Sequence, residues 1–263
     1  MRPIIIGAGR GSRLNALTSN QPKCYAPVGG RRILDWLLSA LDEAGLRHPV
    51  FIGGYQIDRL RADYPQLSFC HNTDWPNNNI LASLFYAGNH MDEGFVCSYA
   101  DILFRSGVVR RALEHKGEMV LCVDIDWRSR YAARTCHLED DAEKVIAEGD
   151  RIVRIGRGIS PEEASGEFIG VAKFSAAAAS QLQEHYSRLR QEFAGQVWKG
   201  ETVFEKAYLI HLLQHMLEQN LDIHMVTTAG EYMEIDTEED FELANAHWPP
   251  DTGVTERSNP CPR

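Results

Sequence analysis

Residues 4–14 read IIIGAGRGSRL, and the strand and loop they encode set the fold class. Three consecutive isoleucines closed by Gly7 suit a short strand buried on both faces, as in a parallel sheet. The loop behind them carries Gly7, Gly9 and Gly11, interleaved with Ala8 and Arg10 and followed by Ser12 and Arg13. Glycine allows positive φ and lets backbone N–H groups approach a phosphate with no Cβ in the way. A dinucleotide-binding fingerprint has the form G-x-G-x-x-G and opens directly into a helix, with an acidic residue about twenty positions on. Here the third glycine falls one place early, and Asn15–Pro27 is polar with prolines at 22 and 27. A packed crossover helix is not expected there, and no G-x-x-x-x-G-K-[ST] occurs. Taken alone, the loop reads equally well as an ordinary strand-to-helix turn.

Outward from this loop, Ile33, Leu34, Leu37, Leu38 and Leu41 recur at helical spacing and stop near Gly45, a good C-cap. Val50–Ile52, Leu67–Cys70, Phe95–Cys97 and Met119–Val123 read as strands, and Ile80–Ala87 as a helix behind an Asn-rich lead. Repeated β-α-β predicts a mostly parallel, Rossmann-like α/β sheet flanked by helices. The second half changes character. Lys144–Ala147, Ile152–Ile155 and Phe168–Phe174 predict shorter strands of a small antiparallel edge or lid, within a region of about 124–175. Helices are expected over roughly 176–193 and 202–219, then a strand at Ile223–Val226, then an acidic run leading into a last helix. Residues 1–247 are expected to form one domain. Residues 248–263, rich in Pro, Thr and Ser and without period, are expected to be a disordered tail.

The chain has 263 residues, of which 44% are hydrophobic, enough for one sizeable core. Its formal charge is −10 and no Lys/Arg run stands out, which argues against nucleic acid or an anionic membrane as partner. A small anionic substrate stays compatible, because a metal and a few local cations reverse the sign inside one cleft. The six cysteines form no CxxC pair and read as buried thiols. No signal-peptide pattern and no stretch of transmembrane length occur, so a cytoplasmic protein is expected. The expected partners are small molecules, with a homodimer left open.

A few charged residues stand where chemistry would need them. Arg13 lies just past the glycines, and Lys23 follows Pro22, whose ring stiffens the backbone that presents the lysine. Nucleotidyl transfer needs cations at the α-phosphate and at the departing pyrophosphate, where charge builds. Asp101 follows the strand-like FVCSYA and so falls at the C-terminal edge of the sheet, where ligand sites of open α/β sheets gather. Glu234 and Asp236 flank Ile235, and in an extended segment both point to one face. Carboxylates converging at one edge suit an oxygen-ligated divalent cation. The competing roles are a loop position or cap for Asp101 and, for Asp236, the N-cap of the helix starting near Thr237.

G-x-G-S-R-L followed by P-K resembles the signature of the sugar-phosphate nucleotidyltransferase superfamily. Within it the chain is most similar to the phosphocholine cytidylyltransferase-like branch, which includes the cytidylyltransferases of phosphonate biosynthesis. The likeness is carried, in order, by NNNILASLF (77–85), SYADILF (98–104), VDIDWRSRY (123–131), GEFIGVAKFS (166–175) and YMEIDTEEDF (232–241). The resemblance implies a GT-A-like nucleotidyltransferase fold. It implies Mg²⁺-dependent transfer of CMP from CTP to a small phosphonate, of aminoethyl or hydroxyalkyl type, with release of pyrophosphate. The implied catalytic residues are Arg13, Lys23, Asp101 and Asp236, with Asp101, Asp236 and Glu234 on the metal. Gly7–Arg13 and Lys23 are implied at the phosphates of the nucleotide, and Gly54, Tyr55, Asn79 and Ser83 along its nucleoside. Many relatives carry a second acidic residue or a glycine just before the first metal aspartate. Tyr99 and Ala100 stand there in this chain.

The acceptor pocket is read from the segment after the strand at 119–123. Asp124, Asp126, Trp127 and Tyr131 would make a wall for a cationic headgroup, as phosphocholine requires. Arg128, Arg130 and Arg134 suit a doubly charged phosphonate instead. Lys206 is a further candidate, with Lys173 and Lys199. Arginine density and the GEFIGVAKFS segment favour the phosphonate. The alternatives are phosphocholine, a sugar-1-phosphate with another NTP, and a non-catalytic nucleotide-binding subunit. Retention of Arg13, Lys23, Asp101 and Asp236 together counts against the last.

Overall fold

A computed structural model describes residues 1–11, 13, 14, 18, 20–132, 134–136, 138–199 and 202–248. The first half runs β1 (Arg2–Gly7), β2 (Pro27–Val28), β3 (Arg31–Arg32), α1 (Ile33–Glu43), β4 (Val50–Gly53), α2 (Ile57–Asp63), β5 (Ser68–His71), α3 (Ile80–Leu84), β6 (Phe95–Tyr99), β7 (Ile102–Phe104), α4 (Ser106–Glu114) and β8 (Met119–Asp124). The second runs α5 (Trp127–Tyr131), β9 (Lys144–Glu148), β10 (Arg151–Gly156), β11 (Gly166–Phe174), α6 (Ala176–Phe193), β12 (Val197–Trp198), β13 (Thr202–Val203), α7 (Leu209–Glu218), β14 (His224–Thr228), β15 (Tyr232–Glu234) and α8 (Glu238–His247).

Among the described residues nine strands form one sheet in the order β5-β4-β1-β6-β11-β8-β14-β10-β9. The isoleucine run of β1 sits inside it, parallel to β4 on one side and β6 on the other. Its side chains alternate between two cores. Ile4 and Ile6 pack with Leu81 and Leu84 of α3, while Ile5 packs with Leu34 and Leu37 of α1 and Leu60 of α2. The period-2 geometry of a strand covered on both faces explains why no polar residue interrupts the run. The expected stop of α1 is also present. Gly45 takes φ +81, and the Leu46 N–H reaches back to the Leu41 carbonyl at 3.0 Å.

Three expectations are corrected. The segment 168–174 is not an edge strand. β11 is buried along its whole length and lies antiparallel between β6 and β8 at the centre of the sheet. Periodicity cannot distinguish a central reversed strand from an edge one when both are apolar. Only β9 and β10 form the antiparallel edge, and β9 also pairs with Gly166 and Glu167, so β11, β8, β14, β10 and β9 close into a ring. The helix expected from 202 starts at Leu209 instead. The Glu205 and Ala207 carbonyls accept N–H groups of Asn79 and Leu81, which occupies the segment with capping α3. Finally, Trp248, assigned to the tail, ends α8 and is 5% exposed, packed with Trp36, Val28 and Ile235. Residues 249–263 of the expected tail lie outside the described residues.

That third core seats α8 against the segment after the first loop, and so carries the C-terminal acidic run to the glycine loop. Among the described residues no helix is long and apolar enough to cross a membrane.

Candidate active site

β1 and β6 are neighbours whose chains leave the sheet in different directions, which makes their carboxyl ends the switch point where open α/β sheets bind ligands. The glycine loop leaves β1 there, and Asp101 follows β6. Asp236 is brought to the same place by a short ribbon. β15 pairs antiparallel with β7, Glu234 opposite Ile102, and the Ile235 N–H donates to the Asp101 carbonyl at 3.1 Å. Ile235 is fully buried while Glu234 and Asp236 line the cleft, the alternation expected of an extended segment.

Lys23 sits between the two aspartates. It begins a 3₁₀ turn behind Pro22 and is 8% exposed. Its ammonium donates to Asp101 Oδ2 at 2.6 Å and to Asp236 Oδ1. Arg13 holds the other oxygen of Asp236 at 2.8 Å. Burial opposes the charge on Lys23, but the two carboxylates outweigh it and hold its pKa above the ordinary lysine value. Gly11 makes this placement feasible. Its φ is +69, and a Cβ there would come within 2.7–2.9 Å of three carbons of the Lys23 stem.

Asp236 is fixed from behind by Asp240, which is fully buried. One carboxylate oxygen of Asp240 accepts the N–H groups of Asp236 (3.0 Å) and Thr237 (2.9 Å) and the Thr237 hydroxyl. Its other oxygen pairs with Arg134 at 2.7 Å. The N-cap of α8 is therefore Thr237 in a capping box with Asp240, which leaves the Asp236 carboxylate for the cleft.

The cleft has two lobes that meet at Arg13, Tyr99, Asp101 and Asp236. The first lies between the glycine loop and Trp75, Asn78, Asn79 and Ser83. Asn79 lines this lobe and also caps α3, its amide accepting from the Ile80 N–H and donating to the Lys206 carbonyl. Ser83 accepts from the buried Asn72, whose amide pairs with that of Asn78. Gly54 and Tyr55 brace the loop without lining the lobe. A Cβ on Gly54 would strike Trp75 and the Ala8 carbonyl, and the Tyr55 N–H donates to that carbonyl at 2.9 Å. Arg10 lies over the Tyr55 ring, away from the cleft. Ser12 lies outside the described residues.

The second lobe is lined by Glu143, Arg157, Glu167, Tyr208, Tyr232 and Glu234, with Asp141 at its rim. Tyr99 donates to Glu143 at 3.1 Å. Burial raises the Glu143 carboxyl to about 7, with Arg157 and the Tyr99 hydroxyl pulling the other way. Burial, then the carboxylates of Asp236, Asp101 and Glu167, hold Glu234 well above the usual carboxylate range. Gly170, at φ +76 in the bulge of β11, leaves room for the Tyr99 ring at the lobe's floor.

The segment expected to form the acceptor wall stands behind this lobe, not in it. Asp124 is fully buried and paired with Arg130, which also binds Glu167. Trp127 and Tyr131 pack on Ala142, and the Tyr131 hydroxyl donates to Glu167 at 2.6 Å. Arg128 faces outward to Glu162. Arg134 belongs to the Asp240 support, and Lys206 donates to the Pro76 carbonyl. Glu143, Arg157, Tyr208 and Tyr232 line this lobe without a signal in the sequence, because they come from four separate elements with no shared motif. Tyr99 alone carried a signal, as the last residue of the strand that delivers Asp101.

Asp101 and Asp236 present carboxylate oxygens to one cation, the Lys23 ammonium, from two sides. Oxygen donors of this kind are what a hard divalent ion takes, so the residues fit such an ion.

The MobA-like NTP transferase domain family matches residues 3–192. The CTP:phosphoglutamine cytidylyltransferase of Campylobacter jejuni is 28% identical over 253 residues, 92% of this chain and 98% of that protein. The 2-aminoethylphosphonate cytidylyltransferase of Lancefieldella rimae is 27% identical over 240 residues, 89% and 87% of the two chains. In fold, the CTP:phosphocholine cytidylyltransferase of Streptococcus pneumoniae superposes with a TM-score of 0.71 at 20% identity, over 94% of this chain and 99% of that one.

Proposed function

The chain belongs to the MobA-like NTP transferase family, and on that premise we infer that it moves CMP from CTP to a small phosphorylated or phosphonate acceptor that also carries an ammonium group. Support for CTP comes from the relatives, several of which are cytidylyltransferases by name. The observation that carries the acceptor reading is the lining of the second lobe. It brings Glu143, Glu167 and Glu234 together with Tyr208 and Tyr232, against Arg157 and Arg13 as its cations. A purely anionic acceptor would gain nothing from those carboxylates. An aminoalkylphosphonate satisfies both signs, and a hydroxyalkylphosphonate only one. The aromatic lining favours a second reading, a quaternary ammonium as in phosphocholine, since a cation gains from ring faces.

In the reaction an oxygen of the acceptor forms a bond to the α-phosphorus in line. The bond from that phosphorus to the bridging oxygen breaks, and pyrophosphate leaves with the electron pair. The acceptor oxygen is already anionic, so positioning and charge stabilisation carry the rate. Loop amides hold phosphate oxygens, and Lys23 and Arg13 neutralise charge on the transferring group. Asp101 and Asp236, with Glu234 beside them, would hold Mg²⁺, which when bound neutralises the phosphate oxygens. The test is pyrophosphate release with each of four NTPs against 2-aminoethylphosphonate, a hydroxyalkylphosphonate, phosphocholine and phosphoglutamine. CTP with an ammonium-bearing acceptor is expected to give the highest kcat/KM. A preference for the hydroxyalkylphosphonate would refute the ammonium reading.

A further inference from the structure

Two guanidinium groups reach the acceptor lobe, and they come from opposite sides of it. Arg13 follows the glycine loop and Arg157 follows β10. Between them stands Asp141, from the 3₁₀ turn Glu139–Asp141, with one oxygen 3.9 Å from Arg13 and the other 3.6 Å from Arg157. Both separations exceed hydrogen-bonding distance. Arg157 is 3.8 Å from Glu143, again too far for a hydrogen bond, and its Nε is buried with no hydrogen-bond partner among the described residues. The guanidinium is nonetheless seated on an aromatic face, its Cζ over the Tyr208 ring and 4.1 Å from the centroid. It is thus a pre-oriented planar fork whose donors are met by carboxylates only at long range. Stacking that fixes the plane lowers the entropy lost when a dianion engages it.

We propose that Arg157 and Arg13 form the clamp for the acceptor's phosphoryl or phosphonyl group, and that Asp141 is an internal carboxylate holding the clamp's place until that group displaces it. The assignment rests on the reading of the second lobe as the acceptor site. It follows from charge and position. The clamp adjoins Asp236, where the acceptor oxygen must meet the nucleotide, and a dianion between two guanidiniums forms charge-assisted, bidentate contacts that the loosely placed Asp141 does not. Asp141 is half exposed on a short turn, so its withdrawal exposes no core. Beyond the clamp, Glu143 is left to face the ammonium end.

The test uses Arg157→Ala, Arg157→Lys and Asp141→Asn in the full chain. Two readouts apply: steady-state kinetics with CTP and the preferred acceptor, and calorimetric binding of methylphosphonate, which needs no turnover. Arg157→Ala is expected to raise the acceptor KM about tenfold to a hundredfold while the CTP KM moves less than about threefold. Arg157→Lys should recover only part of that loss, because an ammonium cannot form the paired contact. Asp141→Asn should tighten both acceptor and methylphosphonate by a few-fold. The clamp is overturned if Arg157→Ala, folded by its melting curve, binds methylphosphonate as wild type does. It is equally overturned if Asp141→Asn weakens binding, which would make Asp141 a structural tie. If wild type binds methylphosphonate through Arg157 yet turns over no acceptor with CTP, the functional reading fails and the clamp stands.

Discussion

Replacing Lys23 with methionine keeps most of the stem that packs on Gly11 and removes the charge between Asp101 and Asp236. Side-chain exposures are 10% for Lys23, 9% for Asp236 and 29% for Asp101, so two of the three charges are close to fully desolvated. Removing one partner from a buried ion pair leaves an uncompensated charge and costs about 3–5 kcal/mol. At roughly 2–4 °C per kcal/mol for a domain of this size, the melting temperature in chelator should fall by about 6–20 °C. Adding Mg²⁺ supplies a cation to the same oxygens and stabilises by linkage. In wild type the ion must compete with the Lys23 ammonium, and in Lys23→Met it does not. The Mg²⁺-induced rise in melting temperature should therefore be larger in the variant than in wild type. The loss should not vary with pH between 6 and 9. A lysine pKa raised in the fold gives stability that is present below the ordinary value of 10.5 and is lost only above the folded one. The assay is a thermal melt of both proteins in EDTA and in saturating Mg²⁺. A variant that melts within about 2 °C of wild type in EDTA, or that gains less from Mg²⁺ than wild type, would refute the shared cation position.

Asp101→Asn and Asp236→Asn keep size and remove charge, and turnover should fall at least about a hundredfold with the fold intact; near-normal turnover of either at limiting Mg²⁺ would remove it from the metal site. Glu143, raised to about 7 against an ordinary 4.5, contributes stability that is full below 4.5 and is lost as pH rises through 7, about 3 kcal/mol in all. Between pH 5 and 8 the melting temperature of Glu143→Gln should accordingly fall less than that of wild type, and parallel falls would show that the group does not titrate there. Arg134→Ala should cost about 3–5 kcal/mol by stranding the buried Asp240, and should lower kcat by loosening Asp236. Arg128→Ala, on the outer face, should change neither melting nor the acceptor KM, and a raised acceptor KM would restore it to the acceptor wall.

The parts of this molecule legible in the sequence are those where local pattern and final environment agree. The isoleucines of β1 and the Gly45 stop each have one physical reading, and the structure realises it. Asp101 and Asp236 could be nominated because strand-end position and alternation around Ile235 are local properties. Their meeting across the Lys23 ammonium was not local. It depends on β15 finding β7 and on α8 docking under the third core, contacts separated by more than a hundred residues. β11 illustrates the same limit, since a largely apolar segment does not say which neighbours it lies between or in which direction it runs.

The stretch expected as the acceptor wall stands behind the cleft lining for a more instructive reason. The stretch Asp124–Arg134 is dense in acids, arginines and aromatics, which is the composition of a recognition site and equally of a buried ionic brace. Burial decides between them, because a charge taken out of water must find a partner in the protein. Arg130 is committed to Asp124 and Glu167, Tyr131 to Glu167, and Arg134 to Asp240. Each of these bonds holds in place a residue that lines the cleft or fixes one that does. Among the described residues, the cleft-lining groups the brace does not hold include Glu143, whose carboxyl burial raises to about 7, and Arg157, which lies over the Tyr208 ring and whose Nε has no hydrogen-bond partner. On the clamp proposed above, the acceptor's phosphoryl group meets Arg13 and Arg157, and the sequence around Arg157, residues 154–159, carries no motif at all.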